Sequence, residues 1–425
     1  MHKLLITTFL LGFISIGLSQ TETIKRVTEE LCSPKYHGRG YVNNGDGLAA
    51  LFIQEEFKKA GVNMYGESYL QPFEFPVNTF PGAASFKYGD SVLAIGKAIL
   101  VDPACPNFYG KLMCKLMKPE VLLDEESFMT ELQEVLAGVN YNAVALDLTT
   151  ENADTLKLLR NFKYELAKFV PVVELTNAKF TWSVAQSQLK NLVVQLKPEF
   201  YQDGMPLSVD LNAALVERHQ ANNVVGYIPA KKKCSQTIVF TAHYDHLGRL
   251  GKDTYFPGAN DNASGTAMLI ALANYFHENP SDFNVAFIAF AGEEAGLIGS
   301  KYFVDNPLIK LNKIRFLINL DIMGSGEEGV TVVNGSVFTD EFDLLVSINE
   351  KEHLLQQIKP RGYAANSDHY WFSDAGVPAI FIYTMGPNKN YHDVFDTYEA
   401  LSFAESDDIT VLLKLFIEQL PKKRE

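Results

Sequence analysis

Four runs of almost unbroken apolar residues, 238–242, 285–291, 316–320 and 379–383, constrain this chain more than any other feature. A strand with one solvated face alternates apolar with polar residues, whereas a strand that does not alternate is buried on both faces. Four such runs, with an apolar helix-like segment at 266–276 after the first, imply a mainly parallel sheet covered by helices on both sides. The fold class is therefore α/β, a mixed, mainly parallel sheet sandwiched by helices.

The residues just past each run carry the chemistry, because open α/β sheets place their sites beyond the carboxyl ends of the strands. After the first run comes His243-Tyr244-Asp245-His246, then Gly258-Ala259-Asn260-Asp261-Asn262-Ala263-Ser264-Gly265. The second run leads to Gly292-Glu293-Glu294, the third to Asn319-Leu320-Asp321, and Tyr391-His392-Asp393 lies beyond the fourth. Imidazole nitrogen and carboxylate oxygen are zinc's preferred ligands of those elements, and the set is large enough for two ions. Two Zn²⁺ bring four positive charges; Asp261, Glu294 and Asp321 return three, and a hydroxide would complete neutrality. A single ion would leave the gathered carboxylates in excess.

At 425 residues the chain exceeds one ordinary core, so a second, smaller domain is expected. The Pro- and Gly-containing stretch 71–82 reads as its boundary. Runs at 98–101, 143–148, 170–175 and 192–196 read as its strands and Glu125–Ala137 as a helix, giving a smaller inserted α/β or β-rich module. From about residue 207, strands at 209–211 and 224–228 are expected to open the main sheet. An early helix is expected at 53–60, ending at Gly61. The resulting division is 1–19, 20–70 (the N-terminal part of the main domain), 71–206 (the insert) and 207–425.

Lys3 before the apolar stretch 4–18, with Gly17 and Ser19 near its end, has the three-part pattern of a signal peptide cleaved after Ser19. The stretch falls short of the roughly 20 residues that span a bilayer, and no later segment is suited to spanning. A secreted protein, periplasmic or extracellular and without stable membrane insertion, is expected. A net charge of -14, with no basic run longer than three residues, disfavours nucleic acid as a partner. Export permits disulfides among Cys32, Cys105, Cys114 and Cys234, with Cys105–Cys114 the local candidate and buried free thiols equally compatible.

The five spaced motifs together resemble the co-catalytic zinc aminopeptidases, a metallopeptidase family that also includes glutaminyl cyclases and transferrin-receptor-like ectodomains. The resemblance runs over most of residues 207–400 and extends to 33–47, where Tyr36-His37-Gly38-Arg39-Gly40 is similar to a stretch near the start of such enzymes. It implies a zinc-exopeptidase-like fold and two zinc ions, and the same ligands would accept cobalt or manganese. Asp261 is implied to bridge the metals, with His243 and Asp321 completing one site and Glu294 and His392 the other. The resemblance makes Glu293 the general base, has Asp245 orient the His243 imidazole through its other ring nitrogen, and marks Asp261-Asn262 as a candidate cis peptide.

The implied activity is hydrolysis of the N-terminal peptide bond of peptide substrates. Three alternatives belong to the same reading. A glutaminyl-peptide cyclotransferase works through one zinc, and this chain departs from it by keeping both His243 and Asp321. A carboxypeptidase would need a cation such as Arg361 or Arg249 for the terminal carboxylate. A receptor-like binding ectodomain would be expected to have lost ligands or the base. Asp368-His369 also resembles a family motif, with substrate positioning or support around His392 as implied roles. His246 is less readily assigned, whereas His219, His277 and His353 read as packing or surface residues. The insert resembles a protease-associated domain through strand patterning and position, which implies a lid or substrate-selecting wall.

Overall fold

The computed structural model describes residues 20–150, 152–159 and 161–422; the expected signal peptide, 1–19, lies outside them. The four apolar runs form neighbouring parallel strands, β1 (Thr237–His243), β2 (Asn284–Phe290), β3 (Ile314–Leu320) and β4 (Ala379–Thr384). They lie side by side in the order β2-β1-β3-β4. Ile238, Phe240 and Ala242 of β1 enter one hydrophobic cluster and Val239 enters another on the opposite face. In β2, Phe287 and Ala289 likewise face away from Ala286 and Ile288. Two dry faces explain why the sequence does not alternate.

Helix α1 (Gly265–Glu278) covers the first face, where Phe240, Phe276 and Phe287 meet at centroid distances of 6.0 to 6.5 Å. Truncating one such buried ring to alanine costs about 3–5 kcal/mol. On the second face, helices Ile298–Asp305 and His369–Asp374 bring Phe303 and Phe372 against Phe290. Antiparallel strands flank the parallel core: Ala214–Ile228 beside β2 and Val330–Val333 beside β4.

Two expected boundaries move. Leu70–Thr79, within the stretch read as a boundary, is a strand paired with Ala214–Ile228 in the main sheet, with Phe73, Phe75 and Val77 buried. Its Pro72 and Pro76 are tolerated because the strand is paired on one side only. Conversely, Leu207–Leu211 joins the insert's antiparallel sheet, between Ala84–Tyr88 and Phe108–Leu112. The insert's own core accordingly runs from Phe80 to Ala213, and Leu247, Leu250 and Phe256 of the main domain dock into it.

The insert's other sheet has the order Ile99–Val101, Val193–Leu196, Val172–Leu175, Ala143–Asp147, Cys114–Met117, and so contains all four strands expected there. The helix Glu125–Ala137 is present, capped by Asp124 accepting from the Ser127 backbone N–H. The early helix spans Gly45–Lys59 and so begins before residue 53, since its first turn is anchored by buried Asp46, 2.6 Å from His219 Nε2, and not by an apolar period.

All four cysteines are free thiols. Cys105 Sγ bonds the backbone of Val193, while Cys114 stands on the far edge strand of the same sheet. With the strands Val172–Leu175 and Ala143–Asp147 between them, at about 4.8 Å per step, the pair is beyond disulfide reach. Among the described residues no helix is long and apolar enough to cross a membrane.

Candidate metal centre

The strand ends deliver the ligands. His243 is the last residue of β1 and Asp321 comes directly after β3. Glu293 and Glu294 lie past β2 after a turn in which Gly292 has φ +68, a left-handed conformation suited to glycine. His392 lies in the loop after β4, and Asp261 in the irregular turn Ala259–Ser264 before α1. The peptide Asp261-Asn262 is cis.

Asp261 stands at the centre, with Oδ1 3.3 Å from His243 Nε2 and Oδ2 3.0 Å from His392 Nε2. Asp321 Oδ1 lies 3.4 Å from His243 Nε2, and Glu294 Oε2 lies 3.1 Å from His392 Nε2. Two nests of ligand atoms therefore share one carboxylate. In His243, Asp261 and Asp321 the ligand atoms lie within 4.8 Å of one another, and so do those of His246, Asp261 and Glu294. His246 thus belongs to the second nest, with Nδ1 2.7 Å from Glu294 Oε1. Asp321 Oδ1 and His246 Nε2 are buried without a hydrogen-bond partner. Imidazole and carboxylate atoms converging in this way, some unsatisfied, fit divalent transition metals.

Electrostatics agree with that fit. Burial opposes a charged imidazole at His243, yet Glu293, Asp321 and Asp261 outweigh it and hold its pKa well above the ordinary value. The same balance, burial against Glu294 and Asp261, raises His392 to about 11. Burial would raise Asp261, but its bonds to both imidazoles hold it well below the carboxylate range, and His392 brings Glu294 down to about 2 in the same way. Glu293 goes the other way: burial, with Glu294 and Asp368 nearby, pushes its carboxyl well up. Cations at the nests would reverse that push.

The site is anchored at several points. His243 Nδ1 lies 3.1 Å from the backbone carbonyl of Asp245, whose carboxylate oxygen is 3.8 Å away, so the expected carboxylate–imidazole bond is replaced by a main-chain one. The Asp245 carboxylate instead accepts the backbone N–H groups of Glu293 and Glu294 and the Tyr41 hydroxyl. A chain of donors, Thr241 to Asn319 to Ser367 to Asp321 Oδ2, runs at 2.6, 2.8 and 2.9 Å from the sheet to the ligand. Arg39, fully buried, donates to the carbonyls of Leu31, Tyr244, Pro257 and Gly258, tying together the loops after His243 and before Asp261. Gly258 has φ +57, and a Cβ there would lie 2.3 Å from His246 Cδ2 and 2.4 Å from the Asp261 carbonyl oxygen.

Asp368 is buried, and burial raises its carboxyl to about 7 against the opposing charge of His243. The ring of His369 packs 5.5 Å from Phe381. His219 packs edge-on against Tyr41 and Phe75, and His277 packs against Gly61. His353 caps the helix Thr339–Glu352. Arg249 is engaged by His37 Nδ1 and the Lys252 carbonyl. Arg361 opens on the site: a cavity of about 250 Å³ is bounded by His243, Asp261, Glu293, Asp321 and His392, walled by Ile322, Phe381, Tyr383 and Tyr391, and rimmed by Arg361 and Asn366. None of its lining residues comes from the insert. The Thr241–Ser367 relay, Tyr41 and the place of His246 carry no signal in the sequence; only the segment around Arg39 has one, in its similarity to a known stretch.

Residues 223–416 match the model of peptidase family M28. Aminopeptidase YwaD of Bacillus subtilis is 29% identical over 225 residues, 49% of this chain and 47% of that protein. A probable zinc metalloprotease of Pyrenophora tritici-repentis is 26% identical over 44% of this chain and 40% of its own length. The chain spans about half the length of the curated relatives it matches. Among solved structures, BSAP, a zinc aminopeptidase from Bacillus subtilis, superposes with a TM-score of 0.68 at 18% identity, covering 95% of this chain and 96% of its own. The aminopeptidase from Aneurinibacillus sp. strain AM-1 gives 0.61 at 20% identity over 95% of each chain. These likenesses establish the fold.

Proposed function

We propose that the chain is a secreted metallo-aminopeptidase that holds two zinc ions and hydrolyses the N-terminal peptide bond of peptides. The observation that carries this reading is Asp261, whose two oxygens face two different imidazoles, His243 and His392. Zinc bound in the two nests would polarise the scissile carbonyl and acidify a water molecule. His243 and Asp321 would hold one ion, Glu294 and His392 the other, and Asp261 both. Glu293 lines the cavity beside them without being needed as a ligand. Its carboxylate would take the water's proton as the oxygen attacks the carbonyl carbon, and deliver it to the departing amine as the C–N bond breaks.

Cavity size supports cleavage at a chain end: about 250 Å³ is below the roughly 300–1,000 Å³ of typical small-molecule sites. That is space for about one residue beside the ligands. Export rests on the sequence of residues 1–19.

Arg361 favours a second reading. It lines the cavity and has no ion-pair partner among the described residues, as a carboxypeptidase's grip on a terminal carboxylate would require. Mass spectrometry of a mixed peptide library, with and without chelator, tests both. Stepwise, chelator-sensitive loss of N-terminal residues is expected. Loss from the other end would make the chain a carboxypeptidase, and ammonia loss from N-terminal glutamine a cyclase; no change would contradict a peptidase.

A further inference from the structure

The two terminal imidazoles of the site are held from different parts of the protein. His243 is oriented within its own strand end, by the carbonyl of Asp245. His392 is oriented from the insert: its Nδ1 lies 2.9 Å from the Trp182 carbonyl oxygen, and the Trp182 backbone N–H donates to the His392 carbonyl at 2.8 Å. A carbonyl can only accept, so Nδ1 carries the proton and Nε2 is directed at Asp261 and Glu294. His392 also has φ +53, a left-handed conformation that non-glycine residues hold only where their surroundings impose it.

Those surroundings are a strap, residues 176–189, without regular secondary structure. Lys179 Nζ reaches Asp393 Oδ2 and the Lys389 carbonyl, both at 2.6 Å, on the loop that carries His392. Gln186 Nε2 donates to the carbonyl of Ala295, next to Glu294, at 2.6 Å. The strap is fixed in turn to the insert: Trp182 Nε1 donates to the Val101 carbonyl at 2.8 Å. It therefore touches the segments bearing two of that nest's non-shared ligands, Glu294 and His392. His243 and Asp321 owe it none of these contacts.

We propose that this strap is the positioning element of the Glu294–His392 metal subsite, so that the insert sets the affinity of one of two ions and leaves the other to the main domain. The proposal rests on the two-zinc reading above. Lys179 and Gln186 are positioning residues, since neither lines the cavity.

The test is zinc titration, against a competing chelator, of the metal-free full chain as wild type, Lys179→Met, Lys179→Met with Gln186→Ala, and Lys179→Arg. In the variants without the Lys179 charge, one of two affinities should weaken about tenfold or more while the other stays within about twofold. Lys179→Arg should recover most of the loss and keep the melting temperature of the metal-free chain, whereas a modest fall is expected where buried Asp393 loses its cation. Two unaltered affinities overturn the proposal, as does an equal fall in both accompanied by a lower melting temperature, the signature of general destabilisation. A wild type binding fewer than two ions overturns the two-zinc reading itself, and the proposal with it.

Discussion

The carboxylate of Asp245 accepts the backbone N–H of Glu293 at 3.2 Å, with the N–H of Glu294 on its other oxygen at 3.3 Å. One buried side chain thus fixes the turn from which a metal ligand and the proposed base project, and Tyr41 holds it there at 2.6 Å. In Asp245→Asn one oxygen becomes an NH₂ group, which cannot accept from these donors. A fall in kcat/KM of about ten- to a hundredfold is expected, with Tyr41→Phe milder; steady-state kinetics on a short peptide would check both.

Arg39 has no exposed surface and spends its donors on main-chain carbonyls from three segments. Arg39→Met leaves the carbonyls of Leu31, Tyr244 and Pro257 without this donor, each at about 1–3 kcal/mol, while Gly258 keeps the Ala263 N–H. Loss of more than about 3 kcal/mol of stability is expected, together with weaker metal binding. Denaturant melts of the metal-free chain would measure the first; an unchanged midpoint would remove Arg39 as an anchor.

Much of this is legible in the sequence, for a physical reason. The four central strands are dry on both faces, so their composition identifies them without a partner, and chemistry at their carboxyl ends comes from the sheet's polarity. Leu70–Thr79 is not legible, because Pro72 and Pro76 read as breaks until the strand is known to be paired on one side. Strand character at 209–211 is visible but not which sheet it joins, since alternation does not name a neighbour. Asp245 shows the limit for the site: that a carboxylate stands beside His243 is local information, whereas its grip on the turn past β2 depends on strand adjacency. Trp182 acts on His392 through its backbone, which no residue identity encodes.

Zinc affinity should rise with pH. His243 and His392, both with raised pKa values in the metal-free protein, are protonated at neutral pH, and a metal must displace those protons. Each displaced proton steepens the dependence by about tenfold per pH unit. Calorimetry in buffers of different ionisation enthalpy between about pH 6 and 8 should register proton release; pH-independent affinity would contradict the charge states assigned to the nests.

Glu293→Gln removes the proposed proton acceptor and none of the ligands. Turnover should fall by roughly 10²–10⁴ while bound zinc stays the same. Retained activity would exclude Glu293 as the base, and lost zinc would make it a ligand.

The central claim is that one carboxylate serves two metal ions, and metal counting tests it most directly. Elemental analysis of the dialysed full chain should give two zinc ions per wild-type molecule and fewer than one in Asp261→Ala. One ion in the wild type, or two kept by the variant, would contradict a site bridged by Asp261.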